Sequence, residues 1–249
     1  MNRKLGQKFL INKEIARREV SYANISKKDI VLEIGPGNGI LTNLLAEKAE
    51  KVIAIEIDKK LINNLKNSLP NNVILIHGDA LNIDFYKLTK FNKIVSNLPF
   101  QISSPITFKF LEFDFDLAIL IYQKEFAERI VAKPGNKNYS RLSVMVYYKA
   151  ICNMHEIISK DFFRPKPKVD CSIIKLVPRK KPPFFVFDNK LFFNLTKDLF
   201  NNRRKKIKNI IKKNYNISLE NIPFLNNRVE ELTPEQIGKL SNLIKKNSY

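Results

Sequence analysis

The first half of the chain alternates short apolar runs with stretches of helical spacing. The run Ile30–Ile34 is rich in β-branched residues and ends at Gly35, so it predicts a buried strand. Four further runs repeat the pattern: Val52–Ile57, Val73–Ile76, Lys93–Ser96 and Leu117–Tyr122. Helical spacing separates them, as in Leu41–Ala49 and Lys59–Leu69. Continuously apolar strands that alternate with helices favour a parallel sheet with both faces covered.

The second half of the chain has a different organisation. Two β-like runs, Leu142–Tyr148 and Cys171–Val177, predict an antiparallel hairpin at the sheet edge. Prolines and three consecutive basic residues at Val177–Pro183 mark a domain boundary. We therefore predict an α/β domain of residues 1–178 and a small helical domain of residues 179–249. The helices expected in the second domain are Asn189–Phe200, Arg203–Asn214 and Pro234–Lys246.

Composition restricts the class of protein. The chain has 249 residues, 44% of them hydrophobic, and no apolar run approaches the length of a membrane span. Its first ten residues are mixed and charged, unlike a signal peptide. Cys152 and Cys171 lie far apart without C-x-x-C spacing, so we expect reduced cysteines in a cytoplasmic protein, with a disulfide as the alternative.

The net charge of +20 indicates a polyanionic partner, and nucleic acid is the commonest one. The alternative is that the many lysines only reflect genomic base composition. The densest basic run is Arg203, Arg204, Lys205 and Lys206, followed by Lys208, Lys212 and Lys213. We expect it to form a cationic helix that contacts RNA phosphates, although such runs are often only solvated faces. Arg164, Lys166 and Lys168 alternate with prolines in an extended segment that can line the mouth of a site.

A glycine-rich motif, Glu33–Gly39, stands where the first predicted strand should turn into a helix. Its spacing is G-x-G-x-G, and Ile40 occupies the place of the third glycine of a dinucleotide-binding loop. Gly35 and Gly37 let a ligand approach the backbone closely, and Glu56 ends the next strand, where an acid can bind ribose hydroxyls. Together they favour an adenosine-containing cofactor without a pyrophosphate, with a tight structural turn as the alternative.

Asp79 and Ala80 follow the third predicted strand, in the crevice where open α/β sheets bind ligands. Asp79 can accept a hydrogen bond from an adenine amino group, although an isolated aspartate in a loop is usually a turn residue. Asp58, next but one to Glu56, is interpreted as a helix N-cap rather than a ligand.

The fourth predicted strand ends in Asn97-Leu98-Pro99-Phe100, a pattern suited to methylation of an adenine amino group. The exocyclic nitrogen is conjugated with the ring, so it needs acceptors for its hydrogens and a clamp that aims it. The Asn97 side chain and a main-chain carbonyl of Leu98 or Pro99 can accept, and Phe100 can stack on an extruded base. A sulfonium methyl donor is a strong electrophile, so no metal is expected. An ordinary X-Pro turn is the alternative.

These motifs, in this order, resemble those of the ribosomal RNA adenine dimethyltransferase family. The segments that carry the resemblance are Gly6–Leu10, Glu33–Gly39, Ile55–Asp58, Gly78–Ala80 and Asn97–Phe100. The continuation Asn97–Lys109, with Tyr122–Ala127 and Phe163–Val169, is most similar to the archaeal and eukaryotic branch. The resemblance covers most of residues 3–177 and is weaker beyond them.

The resemblance implies a class I methyltransferase (Rossmann-like) fold, S-adenosylmethionine as cofactor, and a role in ribosome biogenesis. It implies dimethylation of N6 in two adjacent adenines of the 3′-terminal hairpin loop of small-subunit ribosomal RNA, in an immature subunit. Lys8 and Leu10 would flank the methionine end of the cofactor, and Gly35 would lie under it. Glu56 would hold the ribose, Asp79 the adenine, and Asn97 would lie between cofactor and target amine.

Two residues depart from the family pattern. Phe100 replaces a frequent tyrosine, which keeps the stacking face, and Lys8 replaces an asparagine of many bacterial members, so its contact is expected through the main chain. No membrane partner is expected, and the chain is predicted to be a monomer.

Three alternatives stay open. One is an adenine methyltransferase that acts on another nucleic acid, such as large-subunit ribosomal RNA. Another is a ribosome-assembly or transcription factor that kept the fold without catalysis, which the set Glu56, Asp79 and Asn97 disfavours. A dehydrogenase is disfavoured by the missing third glycine.

Overall fold

The computed structural model describes residues 7–247. The strands are β1 (Phe9–Leu10), β2 (Ile30–Ile34), β3 (Lys51–Glu56), β4 (Val73–His77), β5 (Lys93–Asn97), β6 (Leu117–Gln123), β7 (Ala150–Ile158), β8 (Phe163–Arg164) and β9 (Cys171–Pro178). The α-helices are α1 (Lys13–Ala23), α2 (Ile40–Lys48), α3 (Lys59–Leu65), α4 (Ser103–Phe110), α5 (Lys124–Ile130), α6 (Arg141–Lys149), α7 (Asn189–Asn201), α8 (Ile207–Asn214) and α9 (Pro234–Lys246). None of these helices is long and apolar enough to cross a membrane.

The central sheet has seven strands in the order β4-β3-β2-β5-β6-β9-β7. Strands β2 to β6 pair in parallel, and β9 runs antiparallel to β6. The chain runs from β2 outward to β4, then returns to the other side of β2 to form β5. Because the strand order reverses between β2 and β5, the carboxyl ends of these strands form the crevice where such sheets bind ligands.

The predicted parallel strands are confirmed, and their burial explains why the sequence pattern was clear. Val31, Val52, Val95 and Ile119 are fully buried, because α1 and α2 pack against this face of the sheet. The short sheet of β1 and β8 is separate, with Phe9 opposite Arg164 and Leu10 opposite Phe163.

The predicted strand at Leu142–Tyr148 is wrong, because these residues form helix α6. Ser140 begins the helix with a capping box, in which its backbone N–H donates to the Ser143 hydroxyl. Six of the nine helix residues are buried, so the run lacks the polar positions that distinguish a helix from a buried strand. The predicted strand at Cys171–Val177 is present as β9 and runs antiparallel to β6. It lies between β6 and β7 and does not form a hairpin with residues 142–148.

The chain divides into two compact units, and each unit is built from two separate stretches of the chain. The first unit comprises residues up to Ala127 together with Ile151–Pro178, and the second comprises Glu128–Ala150 together with the residues from Arg179 onward. The sequence analysis had assigned residues 128–150 to the first domain. They group with the second unit because their aromatic side chains lie in its core.

Two contacts show this packing of the second unit. The Tyr148 ring lies 5.0 Å from the ring of Phe184 and 4.9 Å from that of Phe192. The Tyr139 hydroxyl donates to the main-chain carbonyl of Leu232 at 3.0 Å. The helices predicted at Asn189–Phe200 and Pro234–Lys246 are present as α7 and α9.

Candidate active site

A pocket opens at the carboxyl ends of β2, β3, β4 and β5. Nine of the eleven residues that the sequence analysis assigned to cofactor binding or catalysis line it: Lys8, Leu10, Gly35, Gly37, Glu56, Asp79, Ala80, Asn97 and Pro99. The fold brings them together from five separate segments, four of which lie at the same edge of the sheet because its parallel strands end there, while Lys8 and Leu10 come from the N-terminal segment. Ile57, Gln101 and Ile102 also line the pocket and were not predicted, although Ile57 directly follows Glu56 and the other two are the next residues after the Asn97–Phe100 motif.

The glycine-rich loop forms part of the pocket wall with main chain that carries no side chain at Gly35 and Gly37. Gly35 and Gly37 have φ values of 74° and 58°, which L side chains rarely adopt. A Cβ atom on Gly37 would lie 2.8 Å from the Phe9 ring. A larger residue would therefore displace Phe9, which covers the loop from the N-terminal side.

Glu56 places a buried carboxylate beside this loop. The side chain is 5% exposed, and one oxygen accepts the backbone N–H of Asp58 at 2.9 Å. Burial raises the pKa of Glu56, while hydrogen bonds from backbone N–H groups, including those of Asp58 and Gly37, oppose the shift. As predicted, Asp58 is the N-cap of α3 and accepts from the Lys60 N–H at 2.9 Å.

Asp79 begins a tight turn at the end of β4. One carboxylate oxygen accepts the Leu81 N–H at 2.9 Å and the other accepts from the Asn82 side chain at 3.1 Å. The side chain therefore stabilises its own turn, and its remaining lone pairs lie at the pocket. Lys109 supports the same loop, because its ammonium group donates to the carbonyls of Ala80, at 2.9 Å, and of two following residues.

Asn97 ends β5 with its amide in a defined orientation. The Nδ2 group donates to the Lys8 carbonyl at 3.1 Å. The Oδ1 atom is buried and has no hydrogen-bond partner among the described residues. Because a buried acceptor without a partner is costly, this oxygen is suited to an N–H donor that enters the pocket. This bond uses the main chain of Lys8, whereas the expected main-chain contact of Lys8 with the cofactor stays a prediction.

The other three residues of the tetrapeptide lie in different environments. Pro99 lines the pocket and would lie 3.3 Å from a Cβ atom on Gly35. Leu98 is 1% exposed, so its side chain belongs to the core, and Phe100 is partly buried against the core of the first unit. Neither Leu98 nor Phe100 belongs to the pocket lining, so the predicted contacts of these two residues with the target base stay predictions.

The N-terminal segment closes one side of the pocket. The Gln7 side chain donates to the Asp58 carboxylate at 3.2 Å, and Leu10 is buried in the core. Antiparallel pairing of β1 with β8 also holds this segment in place. Gly6, which shares in the family resemblance, lies outside the described residues.

Two buried carboxyl groups lie behind the glycine loop. Glu33 and Glu19 are 1% and 0% exposed, and both oxygens of Glu19 and one of Glu33 lack hydrogen-bond partners within residues 7–247. Burial raises the pKa of Glu33 to about 8, and the carboxylate of Glu56 adds to the shift. Burial also raises the pKa of Glu19 well above 4.5, with a further contribution from Glu33. Glu33 lines the pocket, whereas Glu19 lies on α1.

The extended basic segment of the first unit follows β8. The side chains of Arg164, Lys166 and Lys168 are exposed. Arg164 donates to the carbonyls of Asp161 and Phe163 at 3.1 and 2.9 Å, and Lys166 pairs with the Asp161 carboxylate. These contacts lie at the surface, where ion pairs are weak and leave the charges available to an anionic ligand.

The basic run of the second unit is not helical as predicted. Residues 203–206 form a turn after α7, and α8 begins only at Ile207. The Arg203 guanidinium donates to the Glu230 carboxylate at 2.5 Å and to the Lys137 carbonyl at 2.8 Å. A third bond joins the guanidinium to the Asn136 carbonyl. Together these bonds hold Arg203 in the turn and not in a helix. Arg203 is therefore a tether within the second unit, whereas Lys205 and Lys206 are exposed.

The pocket fits an adenosine-containing sulfonium cofactor on three observations. Gly35 lines the pocket with backbone that is only partly buried, Glu56 offers a buried acceptor for hydroxyl groups, and the unpartnered Asn97 oxygen marks the position of an N–H donor. The loop holds no lysine to neutralise phosphates, which agrees with a cofactor that lacks them.

Comparison with known proteins covers the whole chain. Residues 1–246 match the profile of the family described as ribosomal RNA adenine dimethylase. A protein of Thermococcus sibiricus, named a probable ribosomal RNA small subunit methyltransferase A, is 45% identical over 99% of this chain and 93% of its own length.

Two solved structures are similar along nearly the full length. The crystal structure of a dimethyladenosine transferase from Plasmodium falciparum has a TM-score of 0.82 and 31% identity, over 96% of this chain and 98% of that one. The crystal structure of the 23S rRNA methyltransferase ErmE has a TM-score of 0.67 and 25% identity, over 95% of this chain and 99% of that one.

Proposed function

The chain belongs to the ribosomal RNA adenine dimethylase family, and we propose that it transfers methyl groups from S-adenosylmethionine to the N6 atoms of adenines in small-subunit ribosomal RNA. The observation that carries this proposal is the orientation of Asn97, whose donor group is bound to Lys8 and whose acceptor oxygen is buried at the pocket without a partner. The names of the related proteins support the same activity.

The residues of the pocket have separate tasks in this proposal. S-adenosylmethionine, when bound, supplies an electrophilic methyl group. Glu56 accepts hydrogen bonds from the ribose hydroxyls, while Asp79, with Ala80 beside it, accepts from the adenine amino group. Lys8 and Leu10 flank the methionine end, above Gly35 and Gly37.

Asn97 orients the target amine. Its Oδ1 atom accepts one hydrogen of the amine, and a main-chain carbonyl of Leu98 or Pro99 accepts the other. Two acceptors favour the pyramidal nitrogen that attack on the methyl group requires, and they hold it in line for transfer. Phe100 supports the extruded base by stacking.

The finer substrate assignment also belongs to the proposal. The targets are two adjacent adenines in the 3′-terminal hairpin loop of an immature small subunit, each converted to N6,N6-dimethyladenosine. The protein acts as a monomer in the cytoplasm. The support is the continuation of the Asn97 motif through Lys109 and the similarity to a named dimethyladenosine transferase.

Phosphate binding is assigned to the exposed basic residues. Arg164, Lys166 and Lys168 serve the first unit, and Arg204, Lys205 and Lys206 serve the second. Such contacts position the RNA without reading its sequence and weaken steeply as salt rises. Arg203 contributes mainly through its tether to Glu230, so we assign it an indirect part in RNA binding.

A transfer assay with separated RNAs tests this function. The protein is incubated with methyl-labelled S-adenosylmethionine and either small-subunit or large-subunit ribosomal RNA from a strain that lacks the modification. We expect label in the small-subunit RNA. Label in the large-subunit RNA alone would contradict this function and indicate the activity named for ErmE. Cofactor binding without label in either RNA would indicate a non-catalytic assembly factor.

A further inference from the structure

Two exposed phenylalanines form a small aromatic surface on the second unit. Phe185 and Phe187 are 70% and 51% exposed, and Val186 between them is buried. In an extended chain, side chains at positions i and i+2 point to the same side, so both rings face solvent together. Their centroids are 5.1 Å apart at an interplanar angle of 85°. We name Phe185 and Phe187 the aromatic platform.

The aromatic platform is held in place by helix α9. The Phe187 N–H donates to the Asn242 side-chain oxygen at 2.8 Å. The Asn242 amide donates in return to the Phe185 carbonyl at 3.0 Å. One side chain therefore fixes the backbone on both sides of Val186, and the two rings are presented without the entropy cost of ordering a loop.

Positive charge surrounds the aromatic platform. Lys246 lies with its ammonium nitrogen 5.4 Å from the Phe187 centroid. Lys180 and Lys181 are exposed, and Phe185 lies four positions after Lys181, a span of at most about 14 Å. The nearby carboxylate of Asp188 is paired with Lys245 at 3.3 Å, so it does not offset the three exposed lysines.

We propose that the aromatic platform and its lysines bind unpaired nucleotides of the RNA substrate, with bases stacked on Phe185 or Phe187 and phosphates at Lys180, Lys181 and Lys246. Exposed aromatic rings interleaved with basic side chains are the combination that single-stranded nucleic acid requires. A duplex is disfavoured, because its base faces are already covered by stacking. The inference rests on the proposed RNA substrate and adds a contact outside the pocket.

The absence of tryptophan from the sequence allows a direct test. The variant Phe187→Trp carries a single tryptophan, which can be excited selectively at wavelengths too long for tyrosine, on the aromatic platform, and Tyr86→Trp places one at an exposed site of the first unit as a control. A ten-nucleotide oligoadenylate should quench the fluorescence of Phe187→Trp and leave that of Tyr86→Trp unchanged. No quenching, or equal quenching by a paired duplex of the same length, would overturn the proposal.

A second test separates RNA from other partners. We expect the double variant Phe185→Ala/Phe187→Ala to raise KM for small-subunit ribosomal RNA at least about fivefold, with kcat and the cofactor Kd unchanged. The exposed apolar truncation Ile157→Ala in β7 serves as the control and should leave KM unchanged. If the double variant lost activity only on assembled subunits and not on naked RNA, the surface would bind a ribosomal protein instead. Because the fluorescence test needs no methyl transfer, its failure is distinguishable from failure of the proposed function.

Discussion

The side-chain amide of Asn97 donates to the main-chain carbonyl of Lys8, a residue 89 positions earlier in the chain. This bond defines which end of the amide faces the pocket, since the nitrogen is engaged and the buried oxygen has no partner in the described part of the chain. It also joins the N-terminal segment to the end of β5. Orientation of the acceptor before the substrate binds is the kind of preorganisation that accelerates group transfer.

Loss of the Asn97 side chain should stop methyl transfer without preventing cofactor binding. We expect Asn97→Ala to lower kcat by at least about 100-fold, because removal of one preorganised hydrogen-bonding group has effects of this size. The Kd of S-adenosylmethionine, measured by calorimetry, should change only a few-fold. The exposed Asn63→Ala variant is the control, and a wild-type rate in Asn97→Ala would contradict the assignment of the amine acceptor.

Glu56 should dominate cofactor affinity. Removal of its carboxylate takes away charge-assisted acceptors for two hydroxyl groups, so we expect Glu56→Ala to raise the cofactor Kd by about 10- to 100-fold. Glu50→Ala, an exposed residue just before β3, should leave the Kd unchanged. Equal affinity of Glu56→Ala and wild type would exclude the proposed contact with ribose.

Phe100 tests the stacking hypothesis by comparison of two substitutions. Phe100→Tyr keeps the aromatic face and should retain wild-type turnover, whereas Phe100→Ala should lower turnover by about 5- to 100-fold. Because Phe100 also packs against the core, the melting temperature of each variant must be measured alongside. Equal losses of turnover in both variants would argue against stacking.

Glu19 should destabilise the fold when it is ionised. Replacement by leucine removes a buried carboxyl group whose oxygens lack partners, so we expect Glu19→Leu to raise the free energy of unfolding by about 1–3 kcal/mol at pH 8. The exposed Glu47→Leu should have little effect. Chemical denaturation measures both, and lower stability of Glu19→Leu would contradict this account.

The buried carboxyl groups of Glu19 and Glu33 predict that stability depends on pH. Their folded-state pKa values lie above 4.5, and that of Glu33 is about 8. The protonated forms therefore favour folding, with a contribution that is complete below pH 4.5 and is lost as the pH rises through the folded-state values. Wild type should lose stability between pH 5 and pH 8 relative to Glu33→Gln, and parallel pH profiles would be inconsistent with the raised pKa.

Arg203 and Lys206 should behave differently although they are close in sequence. Arg203→Ala removes the bonds to Glu230 and to two carbonyls, so the free energy of unfolding should fall by about 1–3 kcal/mol. Lys206→Ala should leave stability unchanged and reduce the salt dependence of RNA binding by about one ion. The opposite pattern of effects would show that Arg203 serves RNA rather than the fold.

The sheet and most of the pocket could be predicted because their signals are local. Apolar runs such as Ile30–Ile34 end at polar or glycine residues, and strands that end at one edge bring those residues together. The tetrapeptide after β5 was recognised the same way. The sequence did not show which residues of the tetrapeptide line the pocket. Asn97 and Pro99 do and Leu98 is in the core, because the direction of β5 at its last residue decides where each side chain lies.

The failures concern features that local patterns do not determine. Leu142–Tyr148 is buried on nearly every side, so neither helical nor strand periodicity is visible in its sequence. Residues 203–206 have ordinary helical composition, and only the distant Glu230 and the segment at Lys137 hold Arg203 in a turn. The bond between Asn97 and Lys8 likewise joins segments whose proximity is created by the fold.

The central claim is tested most directly by the chemical identity of the product. Small ribosomal subunits from a strain that lacks the modification are incubated with the protein and S-adenosylmethionine, and the RNA is digested to nucleosides for mass spectrometry. We predict N6,N6-dimethyladenosine with wild-type protein and none with Asn97→Ala. Absence of this nucleoside with wild-type protein that still binds the cofactor would contradict the account.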